Sequence, residues 1–437
     1  MKLSPSLAAQ AAFLTSLSLS SVTASRIPLE SRGSVLPRQC PDNNTVGAAY
    51  FINNEPSGNY ILAASINSDG TVALSSAIYT GGVGQHGIDP PSGPVLPSPL
   101  FSQGSVVVSA NASLLATVNP GSNTISLFEI DPADPTSLKM VGGPVGSNGE
   151  FPVSLTFNSG GDTLCVMNSG ALNSVQCFNT TDRTRGLQPI TGSFRTLGFN
   201  LTTPPMGPPG SPSQLLFSAD DLSLYVAIKG NPTAGLPGVL AVWDVAPDGS
   251  LSSNGTRILT PQVGAVPFAL ANIPQTPGAL LVVDQARGVD VVDFSAGVAK
   301  AAATNATEIA VPGQLALCWV AHSPRTGSFY ITDLFTYLVT EIAVDGMTPK
   351  IVGQYLTEEF GGPTDLDVAS FGGNDYMIIN VSNRTELQVF SLPAQGQALK
   401  LQTLDVAGPA AAAGVTITPE NIVGLVTYIK PNTTQAC

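Results

Sequence analysis

Phe151–Phe178, FPVSLTFNSGGDTLCVMNSGALNSVQCF, holds a strand–turn–strand unit that carries its own register check. Leu164–Asn168 and Ser174–Phe178 are apolar and strand-like, and the five residues between them, Ser169–Asn173, are rich in Gly, Ser and Asn. Centring the turn on Ala171 sets Cys165 opposite Cys177, Met167 opposite Val175 and Leu164 opposite Phe178. Apolar side chains then face one another across the ladder, and a cross-strand Cys165–Cys177 disulfide fits that geometry.

The same unit recurs: an apolar strand ending in Asn or Asp, a turn, and a second apolar strand that usually ends in an aromatic. LLATVN119 with TISLF128, ALLVVD284 with VDVVDF294, SFYITD333 with LVTEI342 and DYMIIN380 with ELQVF390 align with it. Leu224–Lys229 with Val239–Trp243 is a version with a longer turn, and Tyr50–Asn53 starts an earlier one, making seven. A further short strand precedes the pairs, as in Ser105–Ser109, Pro152–Phe157, Ser213–Phe217, Phe268–Asn272, Leu315–Ala321 and Thr364–Ala369. A fourth follows, often through a turn such as Asp69-Gly70, Asp248-Gly249 or Asp345-Gly346. Four antiparallel strands repeated seven times predict an all-β, seven-bladed β-propeller. The first repeat begins at its second strand, so its inner strand must come from the C-terminus, where Asn421–Ile429 is the candidate. That closure brings Cys40 and Cys437 together as a second expected disulfide. Cys318, in the apolar run LALCWVA, is left as a buried free thiol. The Asn and Asp residues at the strand ends suit turns that bond their own backbone better than a ring of ligands.

The N-terminus reads as a secretory signal: Lys2, an apolar run Leu7–Leu19, and small residues that suit cleavage after Ala24. The expected organisation is a signal at 1–24, an extension or propeptide at 25–47, the propeller at 48–430 and a tail at 431–437. No later run is long enough for a membrane span. Nine Asn-x-Ser/Thr sequons, at Asn43, Asn111, Asn179, Asn200, Asn254, Asn305, Asn380, Asn383 and Asn432, spread along the mature chain and predict a glycoprotein. Charged residues are only 11%, against 44 Gly and 36 Pro, which suits short strands joined by turns. Net charge is −13, and −14 once Lys2 leaves with the signal. Such a surface repels nucleic acid and anionic lipid.

Ligands of propellers sit where the inner strands begin. Gln103, Glu150, Gln214, Gln314, Glu359 and Asp365 fall there, with Phe151 and Phe268 beside them. They predict a polar, mildly acidic mouth with aromatic edges, suited to a sugar, a small polar ligand or a cation. His86 and His322 lie in different repeats, and no HExxH, Gly-x-Ser-x-Gly, Walker loop or paired Cys-x-x-Cys is present. His86 is expected in a flexible surface loop, and His322 with Arg325 in a turn. No cofactor or metal is expected. Two insertions, Gly81–Pro99 and Arg195–Pro212, are candidate flaps over one face.

LLATVNPGSNTISLFEI and FPVSLTFNSGGDTLCVMNSGALNSVQCF resemble the lactonase-type seven-bladed propellers. With the signal, the second stretch resembles the secreted fungal 3-carboxymuconate cyclase-like proteins, over roughly Tyr50–Ile429. That resemblance implies a cycloisomerase or a lactone hydrolase like the propeller-type 6-phosphogluconolactonases, whose sites use His, Arg and Glu around the channel. Carried over, the candidates are Glu150, His322, Arg195 and Arg287. Where those lactonases show Pro-His, this chain reads Leu100-Phe101-Ser102-Gln103-Gly104. The polyanionic substrates of that chemistry also suit a chain of this charge poorly. The fungal group further includes cell-surface glycoproteins with adhesive or antigenic roles. The expectation is therefore a secreted or wall-associated monomer whose propeller binds a glycan, matrix or cell-surface ligand. The alternative is an enzyme acting on a small lactone or carboxylic acid.

Overall fold

Each strand pair found by alternation becomes the middle of a larger antiparallel sheet, because an apolar strand with both faces covered needs a neighbour on each edge. The computed structural model describes residues 44–90, 95–259, 265–303 and 306–431. It holds seven such sheets, five of four strands and two with a short fifth strand at the outer edge. The inner strands are Val423–Ile429, Val106–Ser109, Pro152–Phe157, Pro212–Phe217, Pro267–Asn272, Leu317–His322 and Pro363–Phe371, counted here as blades one to seven. Each packs on the next, and the last packs on the first, so they enclose a central channel. All of them run from the mouth end, to which the turn between second and third strands of every blade also returns. Four open with proline, which cannot donate to a ladder and so suits a strand's first position.

The register read from Phe151–Phe178 is the observed one. Cys165 pairs with Cys177, Met167 with Val175 and Leu164 with Phe178. The disulfide is formed, with Cα atoms 3.9 Å apart. Closure is also as expected: Val423–Ile429 lies antiparallel to Thr45–Ile52, with Gly47 opposite Ile429 and Tyr50 opposite Val426. Only glycine fits at 47, since a Cβ there would stand 2.3 Å from the Tyr428 carbonyl oxygen. The first strand starts at Thr45, slightly ahead of the expected boundary. The Asp248-Gly249 turn closes only an isolated bridge between Val245 and Leu251, and the outer strand of that blade begins later, at Thr256. Residues 1–43, 304–305 and 432–437, and with them the signal, the extension up to residue 43, Cys40–Cys437 and the sequons at Asn43, Asn305 and Asn432, lie outside the described residues.

Blade faces supply the core: Phe128, Phe178, Trp319, Tyr330 and Phe329 are fully buried between sheets. Burying a side chain of this size contributes roughly 1.5–3 kcal/mol. Strand-end acids and amides do more than shape their own turns. Asp333 accepts from the backbone N–H groups of Phe335 and Thr336 in its turn, and also from those of Leu315 and Ala316 on the chain entering the inner strand. Asn119 joins two blades, accepting from Asn59 Nδ2 at 2.9 Å and Thr80 Oγ1 at 2.6 Å. No helix among the described residues is long and apolar enough to cross a membrane.

Candidate site at the channel mouth

Inner strands present one unpaired backbone edge to the channel, so something must satisfy those N–H and C=O groups. Here the chain itself does. Leu100–Gly104, the stretch leading into the second inner strand, dips into the channel and bonds to three other blades. Ser102 Oγ donates to Val153 O at 2.8 Å, and Leu155 N donates to Gly104 O at 2.8 Å. Gln103 N donates to Ser213 O at 3.0 Å. The Gln103 carboxamide then crosses to the sixth blade, where Nε2 donates to Val320 O at 2.8 Å and Oε1 accepts from Val320 N at 3.1 Å.

Three side chains of the wall close on the same segment. Ser154 Oγ donates to Gln103 O at 2.6 Å, and Trp319 Nε1 donates to Ser102 O at 3.0 Å. Lys229, fully buried, donates to Phe101 O at 2.5 Å and to Pro212 O at 3.2 Å. Its Nζ stands 5.2 Å from the Phe268 ring centre, and that ring meets Trp319 edge-on at 4.9 Å. Burial pulls the Lys229 ammonium down to about 7. Cys318 itself is free and buried, and burial holds its thiol well above the usual range, so it is no nucleophile at neutral pH.

The two insertions meet above this plug. Ile88 bridges Met206, with Ile88 N donating to Pro205 O at 2.8 Å and Gly207 N to Ile88 O at 3.1 Å. Gly87 and Gly207 both lie on the buried Phe101 ring, and a Cβ on either would come within 2.4 Å of it. His86 is not the free surface residue expected. Its Nδ1 is 2.8 Å from Gly87 O and its Nε2 3.0 Å from Leu96 O, which clasps the first insertion shut.

Most of the residues expected to line an open mouth are consequently engaged or buried. Gln214 mirrors Gln103, bonding Leu270 N at 2.6 Å and Leu270 O at 3.3 Å on the adjoining inner strand. Phe151 and Phe268 are buried. Asp365 is buried, and burial raises its carboxyl well above the ordinary value. Its neighbour Asp367, also raised by burial, accepts from Thr427 N at 2.7 Å and Thr427 Oγ1 at 2.8 Å, tying the seventh blade to the first. Gln314 donates to Gln285 O at 3.3 Å, and Glu359 is exposed at the rim.

The four catalytic candidates do not converge. Glu150 lies ahead of an inner strand and accepts a hydrogen bond from the Thr203 hydroxyl of the second insertion. His322 ends an inner strand, about 20 Å further along the axis at the strand rise. Its ring packs on Phe329 at 4.8 Å, Nε2 has no partner, and burial lowers its basicity against the opposing field of Asp375. Arg195 is on the outer edge of blade three, bonded to the carbonyls of Phe194, Leu251 and Ser252. Arg287 pairs with Glu308 at 3.0 Å in a turn of blade five. Among the described residues no three His, Cys, Asp or Glu side chains could hold a metal ion together. Lys229 and Trp319 are the functional-looking residues that the sequence reading missed. The signal available was a lysine directly after an apolar strand, LYVAIK.

No protein-family model and no curated protein matches the sequence. Among solved structures, the chain is similar to a putative 6-phosphogluconolactonase from Bacteroides fragilis, at 14% identity and a TM-score of 0.60, over 89% of this chain and 99% of that one. It is similar also to a periplasmic gluconolactonase from Pseudomonas aeruginosa, at 15% identity and 0.61, over 89% and 100%. A putative 6-phosphogluconolactonase from Bacteroides uniformis aligns at 13% identity and 0.60, over 87% and 99%. At such identities the likeness establishes the fold alone, a seven-bladed β-propeller.

Proposed function

We propose that the chain is a secreted or wall-associated glycoprotein whose lactonase-type propeller works as a binding module, with its ancestral channel site closed by its own backbone. The observation that carries this reading is the Leu100–Gly104 plug, held inside the central channel by Gln103, Lys229, Trp319 and Ser154. Binding then falls to the mouth-end face, where large apolar side chains such as Met206 and Leu236 stand more than half exposed. A glycan or matrix component is the partner class that the charge of −13 leaves open.

A second reading, hydrolysis of a small lactone, draws on the named activities of the structural neighbours. One experiment separates them: the purified glycosylated protein is assayed against a panel of aldonolactones and muconate-type acids, and screened on glycan and matrix arrays. Saturable array binding weakened by Met206→Asp, with no turnover, is expected. Turnover that Glu150→Gln abolishes would overturn the binding-module reading.

A further inference from the structure

At the mouth end of blades six and seven, a sequon lies against uncovered aromatic surface. Asn383 opens Asn383-Arg384-Thr385 and sits in the 3-10 turn Ser382–Arg384 between the second and third strands of blade seven. It is exposed, and its Nδ2 donates to Phe360 O at 3.2 Å. Phe360 is 69% exposed, and its ring is 5.7 Å from Tyr337. Both aromatics hold left-handed backbone, at φ 61° and 62°. That conformation costs a bulky residue on the order of 1 kcal/mol or more, and the Phe360 ring stands in water with the half-buried Tyr337 beside it. Leu315 and Leu356, 67% and 53% exposed, add apolar surface at the same end of these blades.

Asn380-Val381-Ser382, three residues earlier, is the contrast. Asn380 is fully buried inside a strand, so a sugar there is incompatible with the folded blade, and the sequence expectation of modification at this site is corrected. At Asn383 the surroundings instead make room. Gly362, at φ 60°, stands where any Cβ would come to 2.8 Å of Asn383 Nδ2. The amide has two hydrogens, and only one is used by Phe360 O.

We infer that Asn383 carries an N-linked glycan whose first N-acetylglucosamine packs on Phe360 and Tyr337. Formation joins Nδ2 to sugar C1 and breaks the C1–O bond of a lipid-pyrophosphate-linked oligosaccharide donor. The amide loses one proton, and the lipid pyrophosphate leaves. The remaining N–H keeps its bond to Phe360 O, which orients the sugar alongside the ring. The C–H face of the sugar then covers apolar surface that is otherwise left to water. This rests on the secreted reading above.

The test uses the full chain from a secreting eukaryotic host. Site occupancy is read by mass spectrometry after enzymatic release in heavy-oxygen water, and melting temperature is read for wild type, Asn383→Gln, Phe360→Ala and the double variant. Asn383 is expected occupied and Asn380 bare. Asn383→Gln should lower the melting temperature measurably in wild type and leave it unchanged on the Phe360→Ala background. Trimming to the first sugar should preserve the wild-type value. Bare Asn383 with Asn111 or Asn254 occupied would overturn the inference alone, as would an additive cycle. No occupied sequon at all would overturn the secreted reading with it.

Discussion

Gln103 and Val320, 217 residues apart in sequence, are joined across the channel by two hydrogen bonds that use both ends of one carboxamide. The pair behaves like one residue of an additional strand, satisfying the channel edge of the sixth inner strand at Val320. It ties the second blade to the sixth without passing through the blades between. That part of the channel is thus occupied by the chain's own Leu100–Gly104 segment.

Removing that carboxamide should therefore cost stability. Gln103→Ala leaves the Val320 N–H and C=O bare in a closed channel, a loss of about 1–3 kcal/mol. Gln103→Glu should be at least as damaging, because a carboxylate accepts from Val320 N but repels Val320 O. Urea unfolding of the three proteins checks the order, and a Glu variant as stable as wild type would refute the geometry.

Lys229 predicts a pH signature. Below pH 7 both folded and unfolded chains carry its charge, and the folded state bears the full desolvation cost. From about 7 to its ordinary value of 10.5 the unfolded chain holds a proton that the folded one has shed, so stability rises with pH over that window. The rise attributable to this group over the whole window is about 5 kcal/mol. Lys229→Met should flatten it, whatever its overall stability. Subtracting unfolding free energies of the two proteins at each pH from 6.5 to 9.5 isolates the term, and parallel curves would exclude it.

Which parts of this were legible in the sequence follows from the range of the interactions. Cys165–Cys177 and Met167–Val175 could be read because alternation and a short symmetric turn set a local register. Closure by Val423–Ile429 could be read because a repeat was visibly missing one strand. The plug could not, since Leu100-Phe101-Ser102-Gln103-Gly104 has no periodicity and its partners are distant in the chain. The separation of Glu150 from His322 was implicit in chain direction, as one precedes an inner strand and the other ends one. Arg195 and Arg287 carried no positional signal, and both serve as structural clamps.

Asp290 gives a pH effect of opposite sign. Burial, then the charges of Asp284 and Glu308, push its carboxyl up to about 7, with Arg287 opposing. Between its ordinary value and 7 the folded chain holds the extra proton, so this contribution is present at acid pH and is lost as pH rises through 7. Asp290→Asn should remove that decline and make the protein more stable than wild type at pH 8. Unfolding at pH 5 and pH 8 is the check, and an equal wild-type/variant difference at both values would sink it.

Ring closure is tested most directly at Gly47. An added methyl would meet the Tyr428 carbonyl oxygen at 2.3 Å and the Ile429 side chain at 2.8 Å, so Gly47→Ala must push the C-terminal strand off the first blade. The backbone oxygen cannot swing away as a side chain can, and parting the strands also breaks the ladder that closes the channel. A loss of about 3 kcal/mol or more is expected, in the range reserved for core overpacking. Gly143→Ala is the matched control, because nothing lies within 4 Å of a Cβ at that position. It should change stability by no more than about 0.5 kcal/mol, as surface substitutions do. Equal stability of the two variants would mean that the first and last strands are not paired as described. A selective loss at Gly47, accompanied by protease sensitivity near residue 423, would place the weakest seam of the propeller at its closure.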